Sequence, residues 1–288
     1  MSSGCVSSDL ALPDGGTLRV HDVGGAGLPL LWHHGTGNTG EPPRPLLAAA
    51  ERLGLRFVGF DRPGYGGSSL LPGRSVADVA GLSAAVADHL GFERFTTMGH
   101  SGGGPHALAC AALLPDRVAA VVSVSGPAPL APVTAEGRDW YSGFAPYGAA
   151  SLRAAEHGRA AREAYEVSGA DDDFGFLPAD EEMLSGEWRW FLEVVRSGGA
   201  NGPGPSIDDD LATVTAWGFD VEDIAAPALL VHGAADRVVP AAHSQWVAAH
   251  VRGSELWVEP GAGHLSVLAR AQDALAWVAQ AKTKAGVE

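Results

Sequence analysis

Short apolar runs recur along this chain, and most are separated by stretches of helical periodicity. Residues 28–32, 56–60, 95–99, 119–125, 228–232 and 255–258 have the length of strands, and several are apolar almost throughout. A continuous run of that length fits a strand covered on both faces, as in a parallel sheet between helix layers. Between the strands at 56–60 and 95–99, residues 75–90 place Val76, Val79, Ser83, Val86 and Leu90 on one helical face. Ser75 and Asp78 stand as a capping box and Gly91 as a stop. Residues 102–114, 240–251 and 265–281 are further expected helices, the first ended by Pro115. The opening departs from the rhythm. Residues 10–12 and 18–23 flank Pro13-Asp14-Gly15-Gly16, a turn signal that joins antiparallel strands. The pattern predicts an α/β fold with a largely parallel sheet.

The alternation stops between residues 132 and 226. No strand is expected there. Helical stretches at 149–167, 179–196 and 207–216 are separated by loops rich in Gly, Pro and Asp, and aromatic residues gather, among them Trp140, Phe144, Trp188 and Phe191. The expected organisation is a core of residues 1–131 and 227–288, with a helical insertion at 132–226 between two consecutive strands. The formal charge of the whole chain is −15, from 19 Lys and Arg against 34 Asp and Glu. The insertion alone carries 19 acidic and 6 basic residues, so it holds nearly all of that excess. Such a balance argues against nucleic acid or an anionic membrane as partner, since both require clustered Lys and Arg. With 46% apolar and 18% charged residues, the chain is not an acidic disordered protein. No stretch reaches the ~18 apolar residues of a membrane span, and the start lacks the basic and apolar regions of a signal peptide. Cys5 and Cys110 are expected as free thiols. A soluble, cytoplasmic protein is anticipated.

Chemistry concentrates first in Phe95-Thr96-Thr97-Met98-Gly99-His100-Ser101-Gly102-Gly103-Gly104. Here a strand runs through G-x-S-x-G into a helix. Gly99 and Gly103 have no side chains to collide where strand and helix nearly touch, so the turn can present the Ser101 hydroxyl, with His100 beside it. The helix N-terminus beneath favours developing negative charge. A serine needs a base, and the base an orienting acid. Asp236 lies just past the apolar run 228–232, and His264 lies in Gly261-Ala262-Gly263-His264 after the last run. Residues at the C-terminal ends of separate parallel strands converge at one edge of a sheet. An oxyanion also needs backbone donors. Gly102 follows the serine. Thr36 lies in Trp32-His33-His34-Gly35-Thr36-Gly37, after the strand at 28–32, and is assigned as the second donor. Asp61, ahead of Arg62-Pro63-Gly64-Tyr65-Gly66-Gly67, is expected to pin its loop rather than to serve His264. His33, His34, His100, His243 and His250 are expected to be structural.

Taken together, His34-Gly35-Thr36-Gly37, Asp61-Arg62-Pro63-Gly64-Tyr65-Gly66, Gly99-His100-Ser101-Gly102-Gly103, Asp236 and Gly263-His264 resemble the α/β-hydrolase superfamily. The resemblance implies an eight-stranded, mostly parallel sheet flanked by helices, with the second strand antiparallel and a helical cap after the sixth strand. It also implies a cofactor-independent serine hydrolase that cleaves a carboxylic ester or lactone through an acyl-enzyme. Ser101 argues against members with an Asp nucleophile. His100 and Gly102 differ from the Asn and Met that usually flank the serine of meta-cleavage hydrolases. No motif for a metal or nucleotide is present. An aminopeptidase-like amidase, gripping a substrate ammonium with insertion carboxylates, is the alternative enzyme. A small-molecule binder without catalysis is the alternative outside enzymes. The acidic insertion predicts a neutral or cationic acyl substrate. The sequence leaves the oligomeric state open.

Overall fold

The computed structural model describes residues 4–169 and 173–284. The first half holds β1 (Val6–Ala11), β2 (Thr17–Asp22), β3 (Leu28–His33), α1 (Arg44–Arg52), β4 (Leu55–Phe60), α2 (Asp78–His89), β5 (Phe95–His100), α3 (Gly104–Leu113) and β6 (Val118–Val124). Then come α4 (Leu130–Ala135), α5 (Pro146–Glu156), α6 (Arg159–Ser168), α7 (Pro178–Ser185), α8 (Trp190–Gly198) and α9 (Gly204–Val214). The chain closes with β7 (Ala228–Gly233), α10 (Ala242–His250), β8 (Glu255–Glu259) and α11 (Ala271–Lys284).

All eight strands form one sheet in the order β1-β2-β4-β3-β5-β6-β7-β8. β2 runs antiparallel to both β1 and β4, and every other pairing is parallel. The alternation of side chains along a strand explains the two cores. Leu31, Val121 and Leu230 point to one face, against Ala107, Leu108 and Ala111 of α3 and Trp246 of α10. Their neighbours Leu30, Val122 and Leu229 point to the other, against Leu46 and Ala50 of α1 and Leu275 and Val278 of α11. Each fully buried Leu or Val contributes about 1.5–3 kcal/mol of burial. β4 and β5 lie on opposite sides of β3, so strand order reverses there. The crevice at the carboxyl ends of β3 and β5 is where an open parallel sheet can place a site.

Between β6 and β7 no strand occurs among the described residues. The single helix expected over 149–167 is two helices. The chain turns at His157 and at Gly158, whose φ of 93° lies in the region that favours glycine, and α6 starts afresh. The helix expected over 179–196 is likewise broken, at Gly186, into α7, a 3-10 turn over Glu187–Arg189 and α8. Residues 101–103 form a 3-10 turn, so α3 begins at Gly104 rather than at Gly102. The helix expected from Ser75 begins only at Asp78, with Ala77 at its N-cap and no side-chain cap, although the Ser75 N–H and hydroxyl both donate to Asp78 at 2.7 and 2.9 Å. Asp171 and Asp172 lie outside the described residues. Among the described residues no helix is long and apolar enough to cross a membrane.

Candidate active site

Ser101 is the first residue beyond β5, and its φ is +55°. That left-handed conformation costs a non-glycine residue of order 1–3 kcal/mol and persists only where the surroundings enforce it. Here they do. A Cβ on Gly99 would lie 2.1 Å from the Gly103 carbonyl oxygen, and one on Gly103 would lie 2.0 Å from that of His33. The chain therefore folds back on itself more tightly than any side chain allows, and Ser101 is held at the head of the turn. On the far side of the turn Gly102 meets the loop after β3, where a Cβ on it would sit 2.3 Å from Thr36 Oγ1 and 3.2 Å from Thr36 N. The two backbone amides expected as donors thus come from adjoining segments.

Asp236 and His264 meet as the spacing implied. His264 Nδ1 and Asp236 Oδ2 are 2.7 Å apart, and both residues are buried. With Nδ1 as donor to the carboxylate, Nε2 is left as the acceptor. The other Asp236 oxygen accepts from the N–H groups of Val238 and Val239 at 2.8 and 3.0 Å. Burial alone would raise the Asp236 carboxyl, but His264 and His232 outweigh it and hold the group below the usual carboxylate range. The sequence reading missed His232. It lies on β7, with Nε2 3.2 Å from Asp236 Oδ2 and 2.7 Å from the Val239 carbonyl. Its Nδ1 meets the Ser244 hydroxyl at 2.7 Å. No pattern in the sequence marks it, since its position four residues before Asp236 acts through a loop and not a helix.

The loop carrying Thr36 is fixed by an ionic network. Arg62 donates to the His34 carbonyl and, at 3.2 Å, to that of Gly35. The Arg62 N–H donates to His34 Nε2 at 3.0 Å, so that nitrogen is unprotonated. Arg62 and Arg74 both reach Asp209 of α9, at 2.5 and 2.6 Å, with all three side chains almost wholly buried. Tyr65 Oη donates to Asp209 at 2.7 Å and accepts from the Gly37 N–H at 3.1 Å. Burial opposes ionisation of Asp209, but Arg62 and Arg74 prevail and keep it below the usual range. Asp61 pins its surroundings as expected, accepting from the Gly40 and Gly67 N–H groups at 2.7 and 3.1 Å. His33 and His100 are neutral, each pushed down to about 3 chiefly by burial. His243 accepts from the Ala128 N–H at 3.1 Å, a packing role, and His250 pairs with Glu136 at 2.8 Å.

Ser101, His264, Thr36, Gly102 and His100 border one cavity of about 490 Å³. Its remaining wall is largely apolar, from Phe144, Phe174, Phe176, Phe191 and Val195 in the segment between β6 and β7. Polar groups interrupt it, among them Ser151, Ser206, Thr213 and an Arg162–Asp210 pair. Arg162, buried, donates to Asp210 at 2.7 Å and to Glu166 at 2.8 Å. Burial pushes the Asp210 carboxyl up to about 6. Among the described residues no group of three His, Cys, Asp or Glu side chains is placed to hold a metal ion.

Residues 29–155 match the family model for the α/β hydrolase fold. A putative non-heme haloperoxidase of Mycobacterium phage D29 is 33% identical over 39% of this chain, a match that spans only 41% of the phage protein. The 2-hydroxymuconate semialdehyde hydrolase of Pseudomonas putida is 26% identical over 91% of this chain and 89% of its own length. Among solved structures, an α/β hydrolase fold protein from Nakamurella multipartita is 28% identical with a TM-score of 0.66, covering 98% of this chain and 100% of that one. The chain has the α/β-hydrolase fold.

Proposed function

We propose that the protein is a cofactor-independent serine hydrolase of carboxylic esters or lactones. The observation that carries this reading is Ser101, held at positive φ at the head of a strand–helix turn, in one cavity with a His264 whose Nδ1 is bound to Asp236. In the proposed sequence Ser101 Oγ attacks the acyl carbon while His264 Nε2 takes its proton. The Thr36 and Gly102 N–H groups receive the oxyanion as it forms. His264 passes the proton to the departing alkoxide. It then takes a proton from water, whose oxygen attacks the acyl-Ser101, and returns that proton to Ser101 as the acid leaves. Asp236 holds the imidazole in the tautomer this requires.

The cavity wall supports a neutral acyl group, and the insertion's acidity is compatible with a cationic one. The Pseudomonas relative is named for a muconate semialdehyde, an anion. The one guanidinium in this wall, Arg162, is already engaged by Asp210 and Glu166, which weighs against such a substrate here. The same pairing weighs against Asp210 as a grip for a substrate ammonium.

A panel of p-nitrophenyl esters, aliphatic lactones and alanine or proline naphthylamides tests the proposal. Esters or lactones should turn over, and Ser101→Ala should abolish the activity in a folded protein. Preference for the amides, lost on N-acylation, would reverse the assignment in favour of an aminopeptidase.

A further inference from the structure

His264 sits in a loop, yet a base must be aimed to within a fraction of an ångström. Asp236 fixes one ring nitrogen, and from the sheet core His100 Nε2 donates to the His264 carbonyl at 3.1 Å, but neither holds the main chain just after the ring. That main chain is gripped from outside the core. Oδ1 of Asp180, on α7, accepts from the Leu265 N–H at 2.9 Å, the Ser266 N–H at 2.7 Å and the Ser266 hydroxyl at 2.8 Å. These donors belong to the two residues that follow His264. On its other side the Gly263 N–H donates to the same Ser266 hydroxyl at 2.7 Å. Gly263 lies flat on the carboxylate, where a Cβ would come within 2.3 Å of Asp180 Oδ2.

The carboxylate is fully buried, and its second oxygen is taken up by the Leu177 N–H at 2.9 Å, at the start of its own helix. It therefore ties two pieces of chain together, α7 and the His264 loop. Burial would raise this carboxyl, but the donors from Leu177, Ser266 and Leu265 outweigh it and hold it below the usual range. Phe176, four residues before Asp180, faces the same imidazole, with ring centroids 6.5 Å apart, and lines the catalytic cavity.

We propose that Asp180 is the positioning residue for His264, so that the aim of the base is set from the segment that roofs the cavity as well as from the core. The proposal rests on the reading of Ser101 and His264 as nucleophile and base. A helix that moves carries its carboxylate with it, so displacement of α7 misdirects His264.

The test is Asp180→Asn, assayed with p-nitrophenyl butyrate after circular dichroism has shown the variant folded. An amide keeps one neutral acceptor oxygen and turns an N–H group on the other set of donors, so the charged two-sided grip is weakened while the volume is kept. kcat should fall about 10–100-fold while KM changes less than about threefold, as expected for misplacement of a base by a fraction of an ångström. Made on top of His264→Ala, the same substitution should leave the residual rate within about twofold, because it acts only through His264. Wild-type kcat in folded Asp180→Asn would overturn the proposal. So would an equal loss in the His264→Ala background, which marks general damage. If Asp180→Asn does not fold, Ser266→Ala carries the same pair of comparisons, with about a three- to tenfold loss of kcat expected. Turnover that survives Ser101→Ala would overturn the nucleophile reading itself, a result distinct from an indifferent Asp180.

Discussion

In the sheet core, the buried carboxylates Asp61 and Asp236 each follow a strand and collect N–H groups from the adjoining loops. In the segment between β6 and β7, the buried carboxylates reach beyond their own helices. Asp180 takes the His264 loop, and Asp209 takes the arginines that hold the Thr36 loop. Core carboxylates organise the ends of the strands on which the site is built. Segment carboxylates tie that site to its roof. Charge count alone hides this difference, because an acidic residue spent on a buried tie adds nothing to the field at the pocket mouth. Three consecutive residues show the range. Asp208 pairs with the half-exposed Arg159, Asp209 with two buried arginines, and Asp210 with Arg162 in the cavity wall.

The sharpest way to break the contrast is to remove one carboxylate of each kind. Asp236→Asn should lower kcat for p-nitrophenyl butyrate about ten-thousandfold, because the amide no longer fixes the productive His264 tautomer. A loss below about tenfold would show that Asp236 does not orient the base. Asp209→Ala should act on stability first. It leaves two buried guanidinium groups uncompensated, at a cost of about 3–5 kcal/mol. Urea unfolding monitored by tryptophan fluorescence measures this, and a midpoint like that of the parent would dismiss the tie.

Asp210 should respond to pH with the opposite sign to Asp209. Its carboxyl titrates near 6 in the folded protein, above the ordinary Asp value, so from about pH 4 to 6 the unfolded chain gives up the proton first. Ionised Asp210 therefore costs stability as pH rises through that window. Asp209, held below its ordinary value, contributes stability above about pH 4 that is lost as pH falls. Asp210→Asn should gain on the parent between pH 4 and 7, by at most about 3 kcal/mol. A difference that is flat with pH would remove Asp210 from the account.

The smallest expected effect concerns the field itself. Added salt, from about 20 to 500 mM, should lower kcat/KM for a cationic ester by about twofold more than for a neutral isostere. Equal responses would mean that the unpaired acidic residues of the segment are solvated surface.

Most of the sheet was legible because its strands are short apolar runs between turn signals, and the candidate site because Ser101, Asp236 and His264 lie where such runs end; β1, exposed and largely polar over Val6–Ala11, was expected only at residues 10–12. Thr36 was legible by its place after β3. The helical segment was harder for a local reason and a distant one. Locally, apolar periodicity runs through Gly158 and Gly186, and only the backbone geometry shows that helices end there. At a distance, Asp180 and His264 are far apart in the chain, and a carboxylate in Ala179-Asp180-Glu181-Glu182 has the pattern of an exposed helix face. Asp208-Asp209-Asp210 has the same solvated look, although Asp209 is among the most enclosed charges in the molecule. Hydrogen-bond partners brought together by folding leave no periodic trace.

The central claim is that Ser101 is the activated nucleophile. Brief exposure to a fluorophosphonate, followed by intact-mass measurement and peptide mapping, reads this without reference to any natural substrate. One adduct on the peptide containing Ser101, absent from folded Ser101→Ala and strongly slowed in His264→Ala, is the predicted result. An adduct that persists in Ser101→Ala, or forms as fast without His264, would contradict the account.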